Sequence, residues 1–505
     1  MKRPTLLLAA CLLAHACATP PRPAGDVIFL IESNPANLDP RYATDGTTQR
    51  IDRLLFNGLV VRDNQMKLHG DLAESWETPD PLTYIFHLKS GIHFHDGRPL
   101  TSRDVKFTID FMIDPANRSP KRGSFNMISS IDAPDADTVI FHLKEPYASF
   151  LWNMERSAVG IVPAGSPREF SEHPIGTGAF QFVSQAQDDS VVLTARDNAK
   201  NAAVQKVTFR IVPDAIVRAL ELRKGSADVE MSSLSPDMIP VLAERKELQV
   251  TEEPGTNFAY LGVNLEDPIL KKKEVRQALA YAIDRDSLIK YLLHGQAREA
   301  SGILPPNHWA YESDVRNYSF DPAHAEQLLD AAGFPRDANG VRMHLTLKVS
   351  TQEQARLVAA ALQDQSKRIG VAVEVRPLEL ATLFSDLDKG NFQLSYSIWV
   401  GANNDPDIFD LVFSSKKIPP NGRNRGRYRN PQVDALIEQI RGEMDQTKRK
   451  ELCSQIQKIL SEELPYVPLW YVDQVSVHNR RLQVQLTPTG DFDFLTTCPN
   501  LETRK

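Results

Sequence analysis

Short stretches in which hydrophobic and polar residues alternate predict β-strands in the first half of the chain. Thr83–Leu88 and Thr138–Leu143 are rich in β-branched and aromatic residues, as strands usually are. Val207, Phe209 and Ile211 alternate with polar residues, which is typical of a strand with one buried face. These segments predict sheets covered on at least one side.

The second half of the chain adds helices to this pattern. Val275, Ala278, Leu279, Ala282 and Ile283 recur at helical spacing and define one buried stripe. This stripe predicts a helix packed on a sheet.

A further helix is marked at both ends by residues that favour helix termini. Asp321 can cap its first turn, Pro322 suits the first helical position, and Gly333 can end it. Strands at 344–350, 371–375 and 393–399, with a helix at 355–363, follow along the chain. This order predicts an α/β fold with a mixed sheet and helices on its faces. Such domains commonly bind ligands in a crevice at the sheet edge.

Length and charge limit the class of protein. A chain of 505 residues is too long for one hydrophobic core, so two or three domains are expected. The net charge of -7 gives no global basic field, which argues against nucleic acid as a partner.

The first residues predict export. Lys2 and Arg3 precede an apolar stretch at 6–14, which is shorter than the about 20 residues that span a bilayer but fits a signal-peptide core. The following segment resembles a bacterial lipobox in which Cys17 is lipidated, with a Pro-rich spacer at 18–25. Cys11 matches the lipobox consensus better but leaves too short an apolar core, and an ordinary cleaved signal is the other alternative. We expect an exported lipoprotein in the periplasm or cell envelope, anchored to the membrane.

Two further cysteines remain after the leader, Cys453 and Cys498. In an oxidising compartment an even number suggests a disulfide, which would stabilise the fold by roughly 4 kcal/mol. Two separate buried thiols are the alternative.

Motifs spread along the chain share an order with a known family. They lie at 37–40, 72–76, 92–105, 174–178, 275–285, 328–334, 399–406 and 465–469. Together, across about 27–495, they resemble the family 5 extracellular solute-binding proteins, which include dipeptide, oligopeptide and nickel receptors.

Each of these motifs also has a local structural explanation. Gly91 and Gly97 bracket a turn, and Ser102 can cap the following helix. His93 and His95 lie on the same side of an extended segment, but a signature turn accounts for them better than a metal does. Gly176 and Gly178 predict a tight crossing between subdomains.

The resemblance implies a two-lobed fold of the type II periplasmic-binding-protein kind. We expect lobe I at 26–258, with an inserted subdomain at about 50–165, lobe II at 259–464, and a return to lobe I at 465–505. The strands that join the lobes are expected near 260–264 and 466–471.

The resemblance also implies where a ligand lies. The loop after the last predicted strand resembles the loop over the ligand's amino end, and it contains Trp399, Ala402, Asn403, Asn404 and Asp405. We also expect ligand contacts from Asn257, Phe258 and Tyr260 at the start of the first crossing strand, and from Arg423 and Arg425 in a basic loop that suits an acidic ligand.

One position departs from the family pattern. In the dipeptide- and oligopeptide-binding members, an aspartate three residues after this tryptophan pairs with the ligand's free α-amino group. Ala402 stands there in this chain. Asp405 more readily shapes the loop through its side-chain hydrogen bonds, although a shifted loop could let it pair with the ammonium instead.

These features predict the substrate-binding component of a peptide-type ABC importer. Its partners would be a small solute, peptide or peptide-like, and a membrane permease with its ATPases, and we expect a monomer without cofactor, metal or catalytic residues. The sequence lacks the common hydrolase, metalloprotease and nucleotide-binding motifs, which disfavours an exported enzyme. A ligand-sensing or chaperone-like lipoprotein of the same fold remains the other alternative.

Overall fold

The computed structural model describes residues 23–196, 203–401, 405–498 and 501. The predicted leader with Cys17, the spacer as far as residue 22, and the loop residues Ala402, Asn403 and Asn404 lie outside the described residues. No helix in the described ranges combines the length and the apolar character needed to cross a bilayer.

The strands and helices alternate along the described chain. The strands are β1 Asp26–Ile31, β2 Val60–Arg62, β3 Leu68–Gly70, β4 Ala73–Asp80, β5 Thr83–Leu88, β6 Ile128–Asp132, β7 Thr138–Leu143, β8 Phe180–Ala186, β9 Ser190–Ala195, β10 Lys206–Ile211, β11 Val229–Met231, β12 Leu248–Val263, β13 Ala297–Glu299, β14 Met343–Ser350, β15 Val371–Leu378, β16 Leu394–Trp399 and β17 Tyr466–Asn479. The helices are α1 Gly46–Leu55, α2 Ser102–Ile113, α3 Phe150–Asn153, α4 Ala215–Lys224, α5 Met238–Ala243, α6 Lys273–Tyr281, α7 Arg285–Tyr291, α8 Pro322–Ala331, α9 Glu353–Arg368, α10 Leu380–Lys389, α11 Ile408–Phe413, α12 Pro431–Gly442, α13 Gln446–Glu463 and α14 Phe494–Thr497.

One mixed sheet runs through both lobes. Within the described residues it has 11 strands in the order β15-β14-β16-β12-β17-β11-β1-β10-β9-β8, with β13 paired to β17. The long strands β12 and β17 pair antiparallel over most of their length and belong to both halves of the sheet. The α/β fold with a mixed sheet that the sequence predicted is confirmed by this architecture.

Alternation along β12 explains why lobe II has a core on each face of the sheet. Ala259, Leu261 and Val263 point into one cluster, which is covered by α6, α8 and α9. Phe258 and Tyr260 point into the other, which is covered by α11, α12 and α13. A strand buried on both faces reads as a nearly continuous apolar run, as the lobe II part of β12 at 258–263 does.

The inserted subdomain has a core of its own, formed by residues between 59 and 161 around the four-stranded sheet β4-β5-β7-β6. Buried ion pairs join it to lobe I. Arg53 on α1 lies 2.7 Å from Glu155, and Arg62 lies 2.8 Å from Glu155 and 2.9 Å from Asp491. Since removing one partner of such a pair leaves a buried charge, these contacts fix the insert firmly on lobe I.

The predicted tight crossing at Gly176 and Gly178 is also present where the insert meets lobe I. A Cβ atom on Gly176 would lie 1.9 Å from the Leu55 carbonyl oxygen, and one on Gly178 would lie 2.3 Å from that of Leu54. Only glycine allows this approach of two backbones.

The lobes are joined nearer the middle of β12 than the sequence indicated. The pairing of β12 with β17 shifts register between Glu253 and Asn257, and the residues on either side belong to different cores. The predicted crossing at 260–264 lies inside lobe II instead. The polar stretch at 252–257 marks the change of lobe, since β12 becomes a continuous buried apolar strand only after it.

Most predicted helix boundaries agree with the structure, and one cap is wrong by a residue. Asp321 caps α8 by accepting a hydrogen bond from the His324 amide, as expected. The cap of α2 is Thr101 rather than Ser102, and Asp104 reaches back to the Thr101 amide at 2.7 Å. Either hydroxyl residue suits a cap, so the sequence alone could not choose between them.

The predicted disulfide is wrong. Cys453 lies on α13 in the core of lobe II, whereas Cys498 lies in the core of lobe I beside α14. A disulfide requires Cα atoms within about 7 Å, and the two thiols lie in separate lobes. Burial raises the pKa of the Cys453 thiol to about 12, so it behaves as a small apolar side chain.

Candidate ligand-binding cleft

Two sheet edges face each other where the lobes join. In lobe I, β1, β10 and β11 are parallel, and β11 runs beside β17 toward lobe II. In lobe II, β14 and β16 are parallel, and the end of β16 pairs with Phe258, next to the join. The carboxyl ends of both sets therefore point toward the same gap. Ligands of open α/β sheets bind at such carboxyl ends.

Trp399 and Asn257 form the lobe II side of this gap. Trp399 ends β16 and is partly exposed, and its ring stacks on Tyr260 with centroids 6.5 Å apart. Asn257 accepts a hydrogen bond from the Gly401 amide at 3.3 Å, which ties the loop after β16 to the joining strand. The structure therefore brings these two predicted site residues together.

Three polar side-chain atoms are buried together on this face of the sheet. They are Ser397 Oγ, Trp399 Nε1 and the Tyr466 hydroxyl oxygen. Tyr466 stacks on Tyr260 at 4.2 Å, so all three atoms surround the same aromatic pair. Ser397, Trp399, Tyr260 and Tyr466 interact with one another there, so the buried polar groups have partners within the protein.

Phe258 and Tyr260 are placed differently from the prediction. Phe258 is 1 % and Tyr260 4 % exposed, and both pack in the lobe II core. Their role is to support Trp399 from behind rather than to line the surface of the gap.

Asp405 shapes its loop, as expected. Its carboxylate accepts a hydrogen bond from the Asp407 amide at 3.0 Å, lies 3.1 Å from the Arg449 guanidinium, and accepts a hydrogen bond from Ser149 of the inserted subdomain at 2.5 Å. The carboxylate is buried and its oxygens are engaged. It is therefore not available as a partner for a ligand ammonium.

The basic loop is largely neutralised by neighbouring acids. Arg425 lies 2.7 Å from Asp388, and its guanidinium stacks over Phe384. Arg423 is half-exposed and lies 3.7 Å from the same Asp388. The local sequence is strongly basic, but Asp388 on α10 supplies a carboxylate to both arginines. The sequence pattern therefore overestimated the positive charge available to a ligand.

The lobe I side contains charged residues that the sequence did not single out. Arg50 on α1 lies with its guanidinium carbon 5.8 Å from the Phe492 ring centre. Burial lowers the pKa of Arg50, while Asp491, Glu32 and Glu230 act in the opposite direction. Burial also raises the pKa of Glu230, at the end of β11, to about 7. No local motif marks these residues, because they come from distant parts of the chain.

The two histidines of the signature turn are bound to the backbone. His95 Nδ1 accepts a hydrogen bond from the Gly176 amide, and burial lowers the pKa of this ring to about 4. His93 Nδ1 contacts the Gly91 carbonyl at 2.9 Å. No group of three or more His, Cys, Asp or Glu side chains suited to a metal occurs in the described residues.

Comparison with known proteins gives a consistent result. The family profile of bacterial extracellular solute-binding proteins, family 5 Middle, matches residues 67–419. A probable di/tripeptide-binding protein 5 of Pseudomonas aeruginosa is 31% identical over 528 residues, covering 97% of this chain and 98% of that protein. A dipeptide-binding protein of Escherichia coli is 29% identical and covers 88% of each chain.

A solved structure shows the same fold over nearly the whole chain. The structure of NikZ from Campylobacter jejuni in complex with Ni(L-His) has a TM-score of 0.80 and 26% sequence identity, covering 93% of this chain and 98% of that one. The ligands named for these relatives, di- and tripeptides and Ni(L-His), differ in chemistry, so likeness alone does not identify what this chain binds.

Proposed function

We propose that this chain, which belongs to the family 5 bacterial extracellular solute-binding proteins, is the substrate-binding component of a peptide-type ABC importer. The observation that carries this proposal is the pair of facing carboxyl edges at the join between two lobes. Hinge closure over that gap would enclose a small solute. The family and its relatives are binding proteins, and we propose no catalytic role for any residue.

The ligand is a peptide or peptide-like solute held by both lobes. Trp399 and Asn257 are the proposed contacts from lobe II, together with Ala402, Asn403 and Asn404 of the same loop. From lobe I, Arg50 is the proposed contact for an acidic group of the ligand. It takes the role first assigned to Arg423 and Arg425. Three carboxylates already act on the charge of Arg50, and its planar guanidinium is suited to bidentate pairing with a ligand carboxylate.

We further propose that the ligand has no exposed ammonium at the loop after β16. Ala402 provides no carboxylate, and Asp405 already pairs with Arg449. A blocked peptide, a sugar-linked peptide or another solute without that ammonium fits these constraints better than a simple peptide.

The protein acts in the cell envelope with a membrane permease and its ATPases. The predicted leader and Cys17 support an exported lipoprotein, since a lipid anchor would keep the receptor near its transporter. Ligand sensing by the same fold is the second candidate, and genes for two permeases and two ATPases beside this one would favour uptake.

Native mass spectrometry of the purified protein, followed by small-angle scattering, tests the proposal. We expect a co-purified small solute, and a smaller radius of gyration when that solute is added back to stripped protein. Thermal stability should rise with solute concentration by mass action. Tight binding without compaction would contradict capture between two lobes, and turnover of the solute would indicate an enzyme.

A further inference from the structure

Residues 145–149 of the inserted subdomain contact lobe II. Tyr147 donates a hydrogen bond to the Asp407 carboxylate, and Ser149 donates one to Asp405 at 2.5 Å. The Ala148 amide donates to the Arg441 carbonyl oxygen at 2.9 Å. These bonds connect parts of the chain that belong to different lobes.

The contact is well buried and highly charged. Ser149 is 2 % and Tyr147 6 % exposed, and Arg449 donates to both Ser149 and Asp405 at 3.1 Å. Arg441 lies 3.3 Å from Glu145. Polar groups buried to this extent hold their geometry closely, since each loses a partner if the surfaces separate.

The two sides of this contact are attached to different bodies. The insert is fixed to lobe I by the buried Arg53, Arg62, Glu155 and Asp491 network. Asp405 and Asp407 precede α11, while Arg441 and Arg449 lie on α12 and α13 of lobe II. Movement of lobe II away from lobe I would therefore have to break the hydrogen bonds of segment 145–149.

We infer that segment 145–149 and the Asp405–Asp407 loop form a latch that holds the lobes together and that tightens as the solution is acidified. The latch also fixes Asp405, which follows residues 402–404 in the chain. Its value in solute capture rests on the proposed function, whereas the latch itself does not.

The acid dependence follows from the surroundings of Asp407. Its carboxylate faces Tyr147 of the insert, Asp405 of its own loop, Asp410 of α11 and Arg441 of α12. Burial raises the pKa of Asp407 to about 6, Tyr147 and Arg441 act to lower it, and the two aspartates raise it further. One of its oxygens, Oδ1, has no hydrogen-bond partner among the described residues.

The direction of the effect can be derived from these groups. In separated lobes Asp407 would be exposed, with a pKa near the ordinary value of about 3.9. Between about pH 4 and pH 6 the latched state then binds more protons than the separated state, so falling pH favours the latch. The stabilisation of the latched state by proton binding is complete below about pH 4, and it is absent above about pH 7.

Hydrogen exchange of the unliganded protein tests the latch without any ligand. The readout is the protection of the Ala148 amide region, corrected for intrinsic exchange rates, at pH 7.5 and pH 5. We expect protection to be several-fold greater at pH 5. The upper limit is about tenfold for each unit by which the pKa of Asp407 differs between the latched and separated states. Asp407→Asn imitates the protonated carboxyl and should give high protection that does not change with pH.

Controls separate the latch from other effects. Asp314→Asn removes an exposed carboxylate outside the latch and should keep the wild-type profile. His294 forms an exposed pair with Asp237 across the lobes at 2.6 Å, and this pair could also respond to pH. The exchange measurements at pH 7.5 and pH 5 are therefore repeated with His294→Gln added to each variant. Tyr147→Phe removes only a hydroxyl and should lower protection most at pH 7.5.

Equal pH profiles for the wild type and Asp407→Asn would overturn the acid dependence. Unchanged protection in Tyr147→Phe at both pH values would overturn the latch itself. Failure to find a bound solute would contradict the proposed function and leave these exchange results unaffected.

Discussion

The carboxylate of Asp405 lies 3.1 Å from the guanidinium of Arg449, and both side chains are 7 % exposed. This pair decides how the loop after β16 can interact with a ligand. Asp405, the nearest acidic side chain, is therefore part of a buried contact in lobe II. The position at which the family resemblance predicts an aspartate is Ala402 in this chain.

Simple peptides with free N-termini should therefore be poor ligands. An enclosed ammonium without a carboxylate partner loses roughly 3–5 kcal/mol, which corresponds to two or more factors of ten in affinity. Calorimetry with di- to pentapeptides and their N-acetylated forms measures this directly. Micromolar or tighter binding of the free peptides that is lost on acetylation would refute it.

Replacing Arg449 by methionine should destabilise the protein by about 3–5 kcal/mol, because Asp405 would be buried without its cation. Urea unfolding at pH 7 provides the measurement. The double variant with Asp405→Asn should lose less than the sum of the single changes, since the two residues interact. Arg376→Met is the matched control: this arginine is 52% exposed beside Glu374, and its loss should cost at most about 1 kcal/mol.

The substitution Glu155→Gln should weaken the attachment of the insert to lobe I. Burial alone would raise the pKa of Glu155, but Arg62 and Arg53 outweigh it and hold that pKa below its ordinary value. A carboxylate of this kind stabilises the fold above its unfolded pKa, and the contribution is lost as pH falls through the folded pKa. We expect a loss of about 3–5 kcal/mol at pH 7 and a weaker dependence of stability on acid.

Urea unfolding from pH 7 down to pH 3 measures both effects of the Glu155 change. The control is Glu77→Gln in the same subdomain, where the side chain is 66% exposed. If the Glu155 and Glu77 variants unfold alike at every pH, the buried ion pairs do not anchor the insert.

Cys17→Ala should release the protein from the membrane fraction, because the anchoring cysteine of the predicted lipobox would be lost. Fractionation of cells, together with labelling by a fatty acid, follows the change. Cys11→Ala is the control and should remain anchored. Continued fatty-acid incorporation into Cys17→Ala would instead assign the anchor to Cys11.

Much of the local structure could be predicted because it depends on residues close together in sequence. β5 and β7 begin and end at the residues that the alternation indicated. Asp321 and Pro322 begin α8 because capping involves groups only a few residues apart. The order of motifs along the chain was sufficient for the family and the fold class.

The site could be predicted only in outline. Trp399 was named from the family motif and Asn257 from the expected crossing strand, and the structure places the two close together. The basic charge of Arg425 was visible in the sequence. Its neutralisation by Asp388 was not, because Asp388 is 37 positions away. Whether Cys453 and Cys498 form a disulfide likewise depended on the lobe in which each thiol is buried.

The sequence by itself determined the strand and helix pattern and, through the order of its motifs, the resemblance to a two-lobed family, since these depend on residue type and local spacing. Only the tertiary structure decided the role of Asp405, whose partners Ser149 and Arg449 are 300 positions apart in the chain and meet in one buried contact. Burial and hydrogen-bond distance depend on how distant segments pack, and no local pattern records that packing.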